Sequence, residues 1–292
     1  MRAELNRAFE QLKSGDPAAL DEALRLLQGT VFSFSMKVCG HREDAEDTMQ
    51  DVLLKAIPYL PKIENEKALA VWLYKVAQNR CWMSRRRSKF APKETITLEE
   101  LMPDAAELES LTTTAHTGPE ASALSQEESE RVRRAIQRIP PQYRMILVLH
   151  DMEELDTTEV ARIMGLREGT VRVRLHRARL ALRRELSQVT EKKPTKRPRK
   201  TAAKPLQCRK MFAQLSEYLD RRVDDLACEH IQQHLQDCPA CLAFVQDLER
   251  AVQKCHQYDA PCRPETADSL RHLLVAEYLR AFESAKSTAH RA

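Results

Sequence analysis

The sequence has few of the residues that build sheets and tight turns. Its 292 residues include only 6 Gly, and aromatic residues make up 5%. Because aromatic side chains favour strands and Gly permits tight turns, this composition predicts an all-α fold. Charged residues are by contrast abundant, at 31%. At roughly 100–200 residues per domain, the length predicts two or three domains.

The chain also lacks an apolar run of the roughly 20 residues that a membrane span needs. Residues 1–11 carry charges throughout and do not resemble a secretory signal peptide. We therefore expect a cytoplasmic protein that makes no membrane contact. In that compartment the 8 Cys are expected to be thiols or metal ligands rather than a disulfide framework.

The modest net charge of +4 hides a strong segregation of charge along the chain. Residues 91–130 contain one basic and ten acidic residues, whereas residues 187–207 contain seven basic residues and one acidic residue. Residues 131–186 are again strongly basic. This alternation predicts basic domains that meet nucleic acid, joined by solvated linkers. The alternative is that the charge runs are ordinary solvated helix faces.

Residues 1–90 show apolar spacings of 3 and 4 that predict helices. The third of these helices carries Trp72 and Tyr74 and ends in a run that includes Arg85 and Arg86. Aromatic rings stack on unpaired bases while cations follow the backbone, so this pattern predicts single-stranded DNA binding by Trp72, Arg85 and Arg86. The alternative is that Trp72 and Tyr74 are core residues and the Arg run only ends the helix.

Residues 157–186 have the pattern of a helix-turn-helix. Thr157 or Thr158 is expected to cap a short helix, Gly165 to form the turn, and a longer helix to begin near Glu168 or Gly169. In the longer helix one stripe is apolar and the remaining face is basic, which is the form that enters a major groove. The stripe comprises Val171, Leu175, Ala178 and Leu182, and the basic face comprises Arg172, Arg174, His176, Arg177 and Arg179.

These segments resemble a known family. DAEDTMQDVLLKAI and WLYKVAQNR, within residues 20–90, resemble region 2 of an extracytoplasmic-function sigma factor. IPPQYRMILVLHDMEELDTTEVARIMGLREGTVRVRLHRARLAL, within residues 131–186, resembles region 4. The resemblance implies a non-enzymatic protein that binds core RNA polymerase, recognises the −10 and −35 elements of promoter DNA and initiates transcription. The acidic segment 91–130 would be the linker between the two regions.

The resemblance also implies roles for individual residues. Gln50 and Asp51 would bind the clamp helices of the largest polymerase subunit. Asn79 would help to capture a flipped base of the −10 element, and the segment from Arg80 to Arg87 would contact the melted strand. The −35 element would be contacted by Arg172, Val173, Arg174, His176 and Arg177.

The C-terminal block has metal-ligand spacing. His234, Cys238 and Cys241 form an H-x3-C-x2-C pattern, and Cys208 begins the same segment. Four nitrogen and sulfur ligands suit tetrahedral zinc, which would help to hold a segment short of core. A coincidental grouping is the alternative. The block resembles the zinc-binding anti-sigma domain family, which implies these four ligands, with His230 or Cys228 as substitutes.

Cys255, His256 and Cys262 lie beyond this motif, either as a second, sensory metal site or as ordinary reduced residues. We expect the zinc-binding tail to regulate the sigma domains through an intramolecular contact. Two other classes remain open: a helix-turn-helix regulator acting without core polymerase, and a metalloenzyme, which a closed four-ligand site disfavours. The predicted domains are region 2 at 1–90, an acidic linker at 91–130, region 4 at 131–186, a basic linker at 187–207, a zinc-binding domain at 208–262 and a terminal helix and tail at 263–292.

Overall fold

The computed structural model describes residues 2–14, 16–85, 96–103, 107–108, 111–112, 125–188, 206–258 and 274–280. Every regular element within these ranges is helical, which confirms the predicted all-α fold class. No helix in the described part of the chain combines the length and apolar character needed to cross a membrane.

Twelve α-helices, a 3₁₀ turn at Leu60–Lys62 and a π-helical turn at Val148–Met152 account for most of the described residues. They are α1 (Arg2–Ser14), α2 (Pro17–Cys39), α3 (Arg42–Ala56), α4 (Glu66–Arg85), α5 (Leu98–Leu101), α6 (Gln126–Arg138), α7 (Pro141–Leu147), α8 (Thr157–Met164), α9 (Glu168–Gln188), α10 (Leu206–Leu219), α11 (Asp225–Asp237) and α12 (Pro239–Gln257). Residues 274–280 are also helical.

The described residues form two compact units. Unit 1 takes its residues from 1–92, 148–168 and 259–292, and unit 2 from 93–147 and 169–258. The division therefore falls inside the predicted region 4 segment, because residues 148–168 pack with the N-terminal helices. The six predicted segments and the boundaries between them stay predictions.

Local signals explain how the longest helix of unit 1 begins and ends. The Asp16 carboxylate accepts a hydrogen bond from Ala19 N at 3.0 Å, and Pro17 supplies a φ suited to the first helical position. At the other end Gly40 has φ 79° and its N–H donates to Met36 O, a left-handed termination that Gly adopts without a steric penalty.

The core of unit 1 lies between α1, α2, α3 and α4. Phe34 from α2 meets Tyr74 from α4 edge to face, with ring centroids 5.0 Å apart, and both side chains are buried. The C-terminal residues 274–280 join this core. Leu274 and Tyr278 are buried there, and the Tyr278 hydroxyl donates to Leu12 O at 3.0 Å.

The turn of the predicted helix-turn-helix is present, but the N-cap residue of its first helix differs from the expected one. Asp156, rather than Thr157 or Thr158, is the N-cap of α8. Its carboxylate accepts from Glu159 N, and the Glu159 carboxylate accepts from Asp156 N, which together form a capping box. Gly165 ends α8 with φ 65°, as predicted for the turn.

Unit 2 contains α5 to α7 and α9 to α12, with the remainder of its described residues between them. The predicted apolar stripe of α9 is buried at all four positions, Val171, Leu175, Ala178 and Leu182. A second buried group lies in the C-terminal helices, where Phe212 of α10 and Phe244 of α12 meet edge to face at 4.9 Å. These contacts supply a small core beside the predicted metal ligands.

Candidate nucleic-acid interface and metal centre

The C-terminal end of α4 presents an exposed amide beside an ion pair. Asn79 is exposed, and the next residue, Arg80, places Nε 2.6 Å from Asp51 Oδ2 of α3. Both side chains of this pair are 38% exposed. The structure therefore joins Asp51, a predicted polymerase contact, to Arg80, a predicted DNA contact. Gln50 is half-buried on the same helix as Asp51.

Trp72 and Tyr74, two residues apart on α4, have different environments. Tyr74 is buried in the core of unit 1, whereas Trp72 is half-buried. The Trp72 ring lies 5.5 Å from that of Tyr59, which is 53% exposed. Tyr59 was not a predicted site residue, because it lies after α3 with no basic neighbour pattern to mark it. The side chain of Arg85 and all of Arg86 lie outside the described residues.

The N-terminal half of α9 carries the accessible part of the predicted recognition surface. Val173 is 51% exposed, Arg172 is exposed, and Arg174 and Arg177 are half-buried. Val173, Arg174 and Arg177 line an open groove of about 460 Å³, which we name the α9 groove. Gly169, Thr170, Gln142 and Tyr143 complete its lining. The groove thus combines cationic side chains with the first turn of a helix.

His176 does not share the exposure of its neighbours. Its side chain is buried, and neither ring nitrogen has a hydrogen-bond partner among the residues that the structure describes. Burial, and then the nearby charges of Arg179 and Arg177, lowers its pKa to about 4. The His176 imidazole is therefore not exposed, as a contact with the −35 element would require. His176 lies on the same face of α9 as Arg179 and Arg183. All three side chains on this face are buried.

Two buried arginines of that covered face bind the C-terminal helices. Arg179 donates to Ser216 Oγ at 2.8 Å and to Asp220 at 2.7 Å. Arg179 was predicted to lie on the basic outer face, so its burial corrects that expectation. The reason is tertiary, because the helical period alone does not show which part of a polar face another helix covers.

Arg183, one turn further along α9, makes a second set of contacts. Its Nε donates to Asp247 at 2.8 Å, its Nη1 donates to Glu107 at 2.7 Å, and its guanidinium lies 4.2 Å from the centre of the Phe244 ring. We name Arg179, Arg183 and their partners Ser216, Asp220 and Asp247 the arginine contact. Both arginines have 3% exposed side chains, so these are charge-assisted bonds in a region of low water access.

The four predicted metal ligands come together. One ligand atom from each of Cys208, His234, Cys238 and Cys241 lies within 4.8 Å of the other three. Cys208 lies in α10, His234 in the last turn of α11, Cys238 between the helices and Cys241 in the first turn of α12. Neither proposed substitute, His230 or Cys228, belongs to this cluster.

The chemistry of the cluster fits a metal ion. His234 Nε2 is buried without a hydrogen-bond partner within the described residues, an arrangement that a coordinated cation would satisfy. Burial, then hydrogen bonding with Cys238 and the proximity of Cys208, raises the pKa of the Cys241 thiol. A bound divalent cation reverses that preference, because a coordinating thiol is deprotonated. Cys255 is buried elsewhere and His256 is exposed, while Cys262 lies outside the described residues.

A buried charge cluster in unit 1 had no sequence signal. Lys37 Nζ of α2 lies 3.1 Å from Glu153 Oε1, and the Tyr74 hydroxyl donates to Glu153 Oε2 at 2.6 Å. The exposed fractions of the Lys37 and Glu153 side chains are 2% and 0%. Burial raises the pKa of Glu153, opposed by Lys37 and Tyr74. Burial and Glu153 raise the pKa of Tyr74 well above its ordinary value.

Comparison with known proteins gives three family matches in chain order. A model of Sigma-70 region 2 matches residues 24–90, a model of Sigma-70 region 4 matches residues 129–182, and a zinc-finger model matches residues 208–242. Each match contains one of the groups of residues described above.

Individual relatives agree with these models. The chain is 26% identical over 186 residues to the ECF RNA polymerase sigma factor SigW of Bacillus subtilis, covering 64% of this chain and 98% of the relative. It is 30% identical over 173 residues to the ECF RNA polymerase sigma factor SigM of Mycobacterium tuberculosis, covering 59% and 80%. It is 29% identical over 177 residues to the ECF RNA polymerase sigma-E factor of Escherichia coli, covering 59% and 89%.

Proposed function

Because the chain belongs to the ECF family of RNA polymerase sigma factors, we propose that its exposed site residues perform the promoter-reading steps of such a factor. It is an RNA polymerase sigma factor rather than an enzyme, and its partners are core RNA polymerase and promoter DNA. Working with that polymerase would place it in the cytoplasm. No finding favours a regulator independent of polymerase or a metalloenzyme.

The −10 element is assigned to the end of α4. The exposed Asn79 amide has both a donor and an acceptor for a flipped base, and Arg80 supplies a cation one residue later. The accessible rings of Trp72 and Tyr59 offer a stacking surface on unit 1. Gln50 and Asp51 on α3 would dock on polymerase, which would place the Arg80–Asp51 pair between the two contacts.

The −35 element is assigned to the α9 groove, and this groove is the observation that carries the proposal. Arg174 and Arg177 line the groove, and the exposed Arg172 and Val173 lie beside them in the same helix. Arg can bind guanine bidentately, and an apolar side chain such as Val can contact a thymine methyl group. We give His176 a supporting role beneath this surface because its imidazole is buried and neutral.

Replacing Arg174 with Ala should lower run-off transcription from a genomic promoter by about 10–100-fold, the equivalent of one lost bidentate base contact at ~1–3 kcal/mol. The assay combines purified core polymerase, promoter fragments and the full chain. Arg7→Ala, an identical change at an exposed position of α1, is the matched control and should stay within about twofold. Absence of polymerase-dependent RNA from every genomic fragment with the unaltered chain would refute the proposed function.

Zinc is the metal that we assign to the four-ligand cluster. The set of three thiols and one imidazole, the unpartnered His234 nitrogen and the match to a zinc-finger family support this assignment. When bound, zinc would supply structure rather than chemistry, because four protein ligands leave no open coordination position.

We further propose that the zinc-binding tail regulates the factor through the arginine contact. Arg172 and Val173 remain exposed while Arg179 and Arg183 bind the C-terminal helices. The tail would therefore act by restraining region 4 rather than by covering its DNA-reading residues. Polymerase must align this region with the promoter, so the restraint is expected to lower transcription.

Breaking the arginine contact should raise transcription at least threefold. The affinity for a duplex DNA fragment that carries the −35 element should stay within about twofold of that of the unaltered chain. The variant Asp220→Lys with Asp247→Lys places cations opposite Arg179 and Arg183 and leaves α9 unaltered. Glu229→Lys with Glu249→Lys, at exposed positions of the same domain, changes the net charge equally and is the control. Equal transcription by the two double variants would remove the regulatory proposal.

A further inference from the structure

Two thiols from different helices lie in contact within unit 1. Cys39 is the last residue of α2 and Cys81 lies in the last part of α4, 42 residues further along the chain. Their sulfur atoms are 3.3 Å apart, and both side chains are buried. Neither residue belongs to the metal cluster or to the proposed polymerase contact. Cys81 lies within the segment from Arg80 to Arg87 that is predicted to contact the melted strand, but its own side chain is buried.

From this geometry we propose that Cys39 and Cys81 are an oxidation site that closes into a disulfide on exposure to hydrogen peroxide. A disulfide needs its sulfurs at about 2.05 Å, so the pair must close by about 1.2 Å, within the range of side-chain rotation and small helix shifts. The hydroxyl of Thr48, in α3, also lies close to the pair, 3.9 Å from the Cys81 sulfur. The contact lies where α2, α3 and α4 meet.

The end of α2 gives peroxide its route to the pair. Cys39 precedes Gly40, where the left-handed backbone ends the helix, and terminal turns open more readily than helix interiors. Cys81 lies within α4 and is 1% exposed, against 4% for Cys39. Cys39 is therefore the first thiol to react, and Cys81 is the thiol that resolves the product.

The reaction balances in two steps. The Cys39 sulfur attacks one peroxide oxygen, the O–O bond breaks, and a sulfenic acid forms with release of one water. The Cys81 sulfur then attacks the sulfenic sulfur, the S–O bond breaks, and the disulfide forms with release of a second water. The two thiols lose two electrons and two protons, and hydrogen peroxide is reduced to two waters.

A disulfide here would restrict the segment to which the −10 element is assigned. Cys81 follows Arg80 directly, and the Arg80–Asp51 ion pair joins the same two helices, α3 and α4. The cross-link would close a loop of 42 residues in the unfolded chain, so it should also stabilise unit 1. The oxidation site itself does not depend on the promoter assignment.

The test is tryptic mapping of the full, zinc-loaded chain after treatment with stoichiometric hydrogen peroxide. Trypsin releases residues 38–42 and 81–85 as two short peptides with one cysteine each. We expect these peptides to be joined in most molecules and separated again by dithiothreitol. The thermal midpoint of unit 1 should rise by about 10 °C on oxidation.

Cys39→Ala and Cys81→Ala serve as matched variants, and neither should show a peroxide-dependent rise in midpoint. Cys228→Ala, outside the pair and outside the metal cluster, should behave like the unaltered chain. Recovery of the two peptides unlinked, from unaltered protein in which other thiols have been oxidised, would overturn the proposal. Because the readout is a peptide mass, this outcome is distinct from a failure of transcription.

Discussion

Replacing Cys241 with Ser is expected to remove zinc and to unfold residues 206–258 in the same step. Cys241 is the buried ligand of the cluster and lies in the first turn of α12, which begins at Pro239. Structural zinc sites contribute apparent binding free energies of about 10–16 kcal/mol, which in small domains is the free energy of folding. The apolar core around Phe212 and Phe244 is too small to replace that contribution.

The measurement pairs zinc content with helicity. The Cys241→Ser protein should contain less than one equivalent of zinc and should lose the helical signal of α10, α11 and α12, as should the unaltered chain after chelation. Cys228→Ser makes the same chemical change in the same domain outside the cluster, and it should retain both zinc and helicity. Full zinc content with intact helicity in Cys241→Ser would contradict a structural four-ligand site.

Replacing Glu153 with Ala should lower the free energy of unfolding by about 3–5 kcal/mol, the usual cost of breaking a buried ion pair on one side. The substitution leaves the Lys37 ammonium and the Tyr74 hydroxyl buried without their carboxylate partner. That loss is a large fraction of the stability of a typical domain. Denaturant unfolding of the full chain, followed by the fluorescence of the two Trp residues, reports it.

Two further variants separate charge burial from a general loss of packing. Glu64→Ala, at an exposed position, should change the unfolding free energy by no more than about 0.5 kcal/mol. The triple variant Lys37→Met, Tyr74→Phe and Glu153→Leu removes the buried polar groups together and should recover most of the loss. A Glu153→Ala protein as stable as the Glu64→Ala protein would contradict the role of this ion pair.

The local features of the fold could be predicted from sequence because their causes are local. The four buried positions of the α9 stripe follow from a period of 3.6 residues, and Gly165 follows from the need for a positive φ. The zinc ligands could be found because three of the four, His234, Cys238 and Cys241, lie within eight consecutive residues around the end of α11 and the start of α12. Cys208 is distant in sequence, and it was included because it begins the same segment and because the family resemblance implies it as a ligand.

The features that escaped prediction depend on contacts between distant parts of the chain. Nothing near Lys37 indicates that its partner is Glu153, and nothing near Cys39 indicates Cys81. His176 and Arg179 occupy polar positions of an amphipathic helix, so the helical period alone predicted that their side chains are exposed. The burial of Arg179 follows from its contacts with Ser216 and Asp220, which lie more than 25 residues after the end of α9.

The pairing of Lys37 with Glu153 also has a consequence for synthesis on the ribosome. The two residues are 116 positions apart in the chain, and Leu12 is 266 positions from its hydrogen-bond partner Tyr278. At about 5–20 residues per second, translation delivers Glu153 roughly 6–23 s after Lys37. During that interval the Lys37 ammonium has no carboxylate partner and cannot be buried at low cost. The N-terminal helices therefore cannot complete their core before Glu153 is synthesised, and chaperones would bind this incomplete form.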